Sequence, residues 1–310
     1  MKKPRNKANQ LWIDRLKQFV RSLESDNYER LELTVKNKPE FDRDIIFDTR
    51  ILGSQRLILD EIVENIPPDV EQVVIPFACG LDLPYGCARK GLNVICCDRM
   101  KTVKAIADYI FKKQPQSFSR AAQIMAWLEH IYVHDLQVPV NELVKKNQKY
   151  LERMTSRIKP NQVDFRFGDA NMFLQNVLNP DVIQLVYLGM PTVMPEKRYK
   201  VFHKRYDVLE ALLYNDVFFC QPDDWHEGNE LAKFRELVYF CHFTVPYVIT
   251  GLGTGSRTLG DTVKVLKQYY TYVGYIYKPF VGFDDWVIFG SKKRLNIKKV
   301  SKGSIVNYAF

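Results

Sequence analysis

The run VEQVVIPFACGLDLPYGCARKGLNVICCDRM, residues 70–100, constrains the fold more than any other part of the chain. Val73, Val74 and Ile75 are consecutive β-branched residues, as in a strand buried on both faces. A turn around Gly80 leads into a helical pattern over 81–90, and Gly91 supplies its stop. Leu92–Cys97 read as a second buried strand ending at Asp98. Strand, turn, helix, strand and acid within about 26 residues make the first half of a nucleotide-binding α/β fold. Parallel strands bring their carboxyl ends to one edge, the turn lies under a ligand there, and the acid accepts from ribose hydroxyls. A second role for Asp98, as a strand-end turn residue, stays open.

The rest of the chain repeats the alternation. Leu11, Ile13, Leu16, Phe19, Val20 and Leu23 have helical spacing, and a further helix ends before Pro67-Pro68. Helical segments fill 101–160. VDFRFGDANMFLQNVL gives a short strand, Gly168-Asp169 and a helix, and Val182–Leu188 an apolar strand. A helix over 199–216, an element over Leu237–Phe243, a strand running into the Gly251–Ser256 loop, and a helix over 259–270 follow. YTYVGYIYKPF and DDWVIFGSKK resemble a closing hairpin, with a basic tail over 292–302. This order predicts an α/β fold with a doubly wound, mostly parallel sheet. The domain reading is a helical arm over 1–47, a core over 48–100 and 161–294, a basic helical insertion over 101–160, and a tail over 295–310.

Charge adds a partner class. The net charge is +9 over 310 residues, and residues 101–160 hold 11 basic and 5 acidic side chains. Such a stretch suits a polyanion, because each neutralised phosphate releases counterions; a solvated helical face also accounts for it. Aromatics stand beside cations at Tyr199-Lys200, Phe202–Tyr206 and Tyr277–Phe280, which suits nucleic acid, although core packing uses most aromatics. The six cysteines lack disulfide or C-x-x-C spacing, and only His130 and His134 stand at i, i+4, so no metal is expected. No run approaches a membrane span and no export signal opens the chain, so the expectation is a cytoplasmic protein. Neither a phosphate-loop motif nor a G-x-S-x-G elbow occurs.

Four segments, in order, resemble the Dam-like class of S-adenosylmethionine-dependent DNA adenine methyltransferases. Asp48–Arg56, with Gly53-Ser54, is similar to that family's R-Y-x-G-S-K-R. Ile75-Pro76-Phe77-Ala78-Cys79-Gly80-Leu81 is similar to D-P-F-x-G-x-G, with Asp98 at the expected distance. Gly168-Asp169-Ala170 resembles G-D-A, and Leu185–Thr192 resembles L-V-Y-L-D-P-P-Y. Tyr206–Glu210 and Asn215-Asp216 resemble the family's Y-H-x-L-E and its following aspartate. The resemblance implies a methyltransferase-type, Rossmann-like fold. It also implies remnant cofactor positions at Gly53, Phe77, Asp98 and Asp169, and a base-side motif at Gly189, Met190, Pro191 and Thr192.

The departures carry equal weight. In the family the motif's Asp accepts from the adenine amino group and its aromatic stacks on the flipped base. Gly189 has no acceptor and Thr192 no π-face. Gln55 stands for a lysine, Ile75 for an acid, and Cys79 and Leu81 for glycines, whose side chains are expected to fill ligand space and oppose a positive φ. Asp98 and Asp169 remain, and both also suit helix caps or turns. The expectation is a catalytically inactive protein that takes no cofactor. It would lie on duplex DNA through Lys145, Lys146, Lys149, Arg153, Arg157, Lys204 and Arg205. One alternative is an active adenine methyltransferase with a variant motif, which would need S-adenosylmethionine. The other is a subunit partnering a methyltransferase or nuclease.

Overall fold

The computed structural model describes residues 47, 49, 55–133, 139–190, 229–252, 258–280, 283–301 and 303–309. The helices expected over 11–24 and 199–216, and the glycine loop beyond Leu252, lie outside the described residues.

The strands β1 (Gln72–Ile75), β2 (Asn93–Asp98), β3 (Val163–Phe167), β4 (Gln184–Tyr187) and β5 (Tyr247–Leu252) pair in parallel. The hairpin β6 (Tyr272–Phe280) and β7 (Phe283–Ser291) joins antiparallel to β5, and β8 (Ile305–Ala309) pairs antiparallel with β6. The sheet order is β3-β2-β1-β4-β5-β7-β6-β8. This is the doubly wound, mostly parallel α/β sheet of methyltransferase-like type that the sequence predicts. The strand β8 is new; the sequence reading had only a basic tail there.

Successive residues feed opposite cores, as a two-residue period requires. Val73 and Ile75 join one core and Val74 the other. The first core takes Ile58, Leu59 and Ile62 around α1 (Leu59–Val63), and Tyr85 from α2 (Asp82–Arg89). It also takes Val103 and Ile106 from α3 (Lys101–Ile110), Met125 from α4 (Phe118–Val133), and Leu151 and Met154 from α5 (Val140–Thr155). The helices of 101–160 therefore pack their apolar sides into the sheet's own layer. The second core takes Phe173 from α6 (Ala170–Val177), Phe234 from α7 (Glu230–His242) and Leu266 from α8 (Leu259–Lys267). The element expected over Leu237–Phe243 is the second half of α7.

A polar clamp ties α1 and its end to β6 and to the segment leading into β8. Glu61 on α1 is fully buried and accepts from Lys278 Nζ at 2.8 Å. Ser301 Oγ donates to the same carboxylate, with Ser304 Oγ at 3.4 Å. Asn65 meets the Lys298 backbone through both ends of its amide, at 3.0 and 2.6 Å. No helix among the described residues is long and apolar enough to cross a membrane.

Candidate functional site

Because β1 lies between β2 and β4, the chain order reverses there, and the crevice opens at the carboxyl ends of these strands. Phe77, Asp98, Asp169, Gly189 and Met190 follow β1, β2, β3 and β4 and so share this edge. Pro191, Thr192, Gly53, Lys204 and Arg205 lie outside the described residues.

The first turn keeps a shape its composition opposes. Cys79 has φ 42° and Leu81 φ 61°, the left-handed region that glycine enters without penalty. Burial offsets that strain at Leu81, whose side chain is fully enclosed in the first core. The turn thus forms with positive φ at both non-glycine positions, and the Leu81 side chain points into the protein instead of into the crevice. Ala78 N–H donates to Cys97 O at 2.8 Å, and Leu81 N–H to Ala78 O at 2.9 Å. Thr49 Oγ1 donates to Gly80 O at 2.8 Å, and Phe47 packs on Tyr85 with ring centroids 4.9 Å apart.

Asp98 faces this turn. Its Oδ2 accepts from Cys79 N–H and its Oδ1 from Met100 N–H, each at 2.9 Å. Only 9% of the residue is exposed, and burial pushes its carboxyl up to about 6 against the pull of those amides. The same burial, reinforced by Asp98, pushes the Cys97 thiol up to about 12. Asp169 caps α6, its Oδ1 accepting from Asn171 and Met172 N–H at 2.8 and 3.2 Å. Phe77 and Met190 are half-buried against the second core.

At the end of β4 a contact appears that no sequence pattern announces. Tyr187 is 1% exposed, and its hydroxyl donates to Gln55 Oε1 at 2.6 Å. Its ring lies against Gly189: a Cβ there would stand 2.5 Å from Cε1 and 3.3 Å from Cδ1. A Cβ on Gly251 would stand 2.8 Å from the Tyr187 hydroxyl and 3.0 Å from Gln55 Oε1. Gly189 thus makes room for a buried ring that Gln55 holds by its hydroxyl.

Lys145, Lys146, Lys149, Arg153 and Arg157 all lie on the exposed side of α5 and its end, while Leu143, Asn147, Tyr150, Leu151 and Met154 face inward. Lys146 pairs with Glu129 at 2.7 Å, and the Arg153 guanidinium stands 5.8 Å from the Tyr150 ring centre. Among the described residues no group of His, Cys, Asp and Glu is placed to hold a metal ion.

No family model and no curated protein matches the chain. Solved structures are similar only remotely. The delta-N METTL16 methyltransferase domain shares 10% identity, with 76% of this chain and 79% of that chain covered and a TM-score of 0.37. A precorrin 8w decarboxylase of Methanobacterium thermoautotrophicum shares 11%, with 82% and 100% covered and a TM-score of 0.37. The rRNA methyltransferase AviRa of Streptomyces viridochromogenes shares 12%, with 81% and 85% covered and a TM-score of 0.35. Likeness at this distance concerns the path of the chain and nothing finer.

Proposed function

We propose that this methyltransferase-fold protein does not methylate adenine and serves as a DNA-binding scaffold. One observation carries the reading: the Tyr187 ring, held by Gln55, stands where a Cβ on Gly189 would have to be. An acceptor carboxylate at residue 189 therefore requires a buried aromatic to move. The cofactor side supports the same reading. S-adenosylmethionine would need Asp98 for its ribose, but only 9% of that residue is exposed and its carboxylate is turned to the protein's own amides. The turn itself retains a nucleotide-compatible shape, while Gln55 is committed to Tyr187. These residues do not fit the methyl donor, and no reaction step is drawn through it. Calorimetry up to about 1 mM cofactor, a limit of ~4 kcal/mol, should detect no binding. A low-micromolar dissociation constant would restore the active-enzyme alternative.

The exposed cations of α5 support the DNA part of the proposal. Phosphate contacts position a protein without specifying sequence. If about five phosphates are engaged, the logarithm of duplex affinity should fall with the logarithm of salt at a slope near −4 to −5. Lys145→Glu, Lys146→Glu and Lys149→Glu together should weaken all duplex sequences alike. A second reading, partnership with a methyltransferase or nuclease, is favoured by exposed aromatics at the end of α7. Phe243 is 64% and Tyr239 51% exposed, their rings meeting edge-on at 5.1 Å. Duplex binding that ignores salt, or that survives the triple change, would favour that reading.

A further inference from the structure

A hollow of about 440 Å³ opens between the start of α3, the 3₁₀ turn Pro115–Ser117, the start of α4 and the end of β3. Lys101, Lys104 and Arg120 supply three cations to its wall, and Gln116 and Ser117 supply polar side chains. Phe167 forms another part of the wall and is 48% exposed, a large apolar surface left in water beside positive charge. The volume is within the ~300–1,000 Å³ usual for small-ligand sites. The lining includes none of Cys79, Asp98 or Asp169, although Phe167 pairs with Asp98 across β2 and β3, so the hollow adjoins that end of the sheet.

Asp108, buried at the floor, pairs with Lys104 and stands 3.5 Å from Lys112 Nζ. A buried carboxylate between two lysines fixes Lys104 at the edge of the hollow. The helix α3 starts at Lys101 with no side-chain cap and no acid in its first turn. The Asp98 carboxylate already accepts from Met100 N–H at that end, so the positive charge of the hollow comes from its side chains. An anion alone would use the cations and leave Phe167 uncovered. A ligand carrying both a phosphate and a flat ring satisfies every part of the wall.

We infer that this hollow binds one nucleotide unit, its base against Phe167 and its phosphate among Lys101, Lys104 and Arg120. The unit is either a free nucleotide or one residue of a single strand. Stacking on one aromatic tolerates any base, so discrimination among the four bases is expected to be weak. The inference does not depend on duplex binding through α5, since the two surfaces share no residue.

The test measures binding of AMP, UMP, inorganic phosphate and a labelled ten-nucleotide single strand to the full chain and two variants. Phe167→Leu keeps an apolar side chain but loses the π-face. It should weaken the nucleotides or the strand about tenfold and leave phosphate unchanged. Arg120→Met should weaken all of them. Lys145→Glu, Lys146→Glu and Lys149→Glu together should leave mononucleotide binding intact, which separates this site from the duplex reading. Mononucleotide binding that depends on Phe167 assigns a free nucleotide; strand binding with that dependence but no mononucleotide binding assigns a strand. Binding of phosphate alone, or equal binding by the parent and Phe167→Leu, overturns the proposal.

Discussion

Gly189→Ala is the smallest change that tests why residue 189 is a glycine. The added Cβ would stand 2.5 Å from Tyr187 Cε1, far inside van der Waals contact. The ring cannot give way cheaply. It is buried, its hydroxyl is bonded to Gln55, and the space for a Cβ beyond Gly251 is already within 2.8 Å of that hydroxyl. Overpacking a well-filled site costs about 1–3 kcal/mol. If the ring shifts, the Gln55 hydrogen bond adds ~1 kcal/mol. The expected loss is therefore about 2–4 kcal/mol, read as a lower urea midpoint at unchanged slope. Gly189→Asp should cost at least as much. Tyr187→Ala removes the obstacle and, although costly alone, should cancel most of the Gly189→Ala penalty, giving a coupling energy of about 1–3 kcal/mol. A Gly189→Ala protein within 0.5 kcal/mol of the parent would refute the argument. So would strictly additive losses.

Asp98 gives a pH prediction. Its carboxyl sits at about 6 in the folded chain against an ordinary 3.8, so the native state binds the extra proton between those values. Its contribution therefore favours folding at low pH and is lost as pH rises from about 4 through 6, with an amplitude up to ~3 kcal/mol. Urea titrations of parent and Asp98→Asn should diverge across that window, and parallel curves would sink the assignment. Lys278→Met should cost about 3–5 kcal/mol by leaving the buried Glu61 charge to hydroxyls alone. Adding Glu61→Gln should recover much of this, and a loss below 1 kcal/mol would show that the pair is not enclosed.

The sheet was legible where patterns are strong. Val73–Ile75 are buried on both faces and Val94, Cys96 and Cys97 are buried in β2, so their apolar runs carry the signal, and Gly91 stops α2 with φ 84°. The strand β8 was not legible because it lies at the sheet's edge with an irregular burial pattern, and its place is set by register with β6. At the site, Asp98 and Asp169 were found as strand-end acids, and the cap suggested for Asp169 is its observed bond pattern. What the sequence hid was direction. A leucine in a glycine position looks like an obstruction until the left-handed backbone turns it inward. The Tyr187–Gly189–Gln55 contact joins residues 132 positions apart, beyond any local periodicity.

The Glu61 clamp also sets a timetable for biosynthesis. Lys278 follows Glu61 by 217 residues, Ser301 by 240 and Ser304 by 243. At ribosomal speeds of ~5–20 residues per second, the carboxylate waits on the order of ten to forty seconds for its first partner. During that interval it stays hydrated, and α1 cannot take its seat with Glu61 turned inward. Leu59 and Ile62, which flank it on the same short helix, remain uncovered on the growing chain. The nascent chain therefore carries Glu61 without these partners throughout synthesis of the parallel strands.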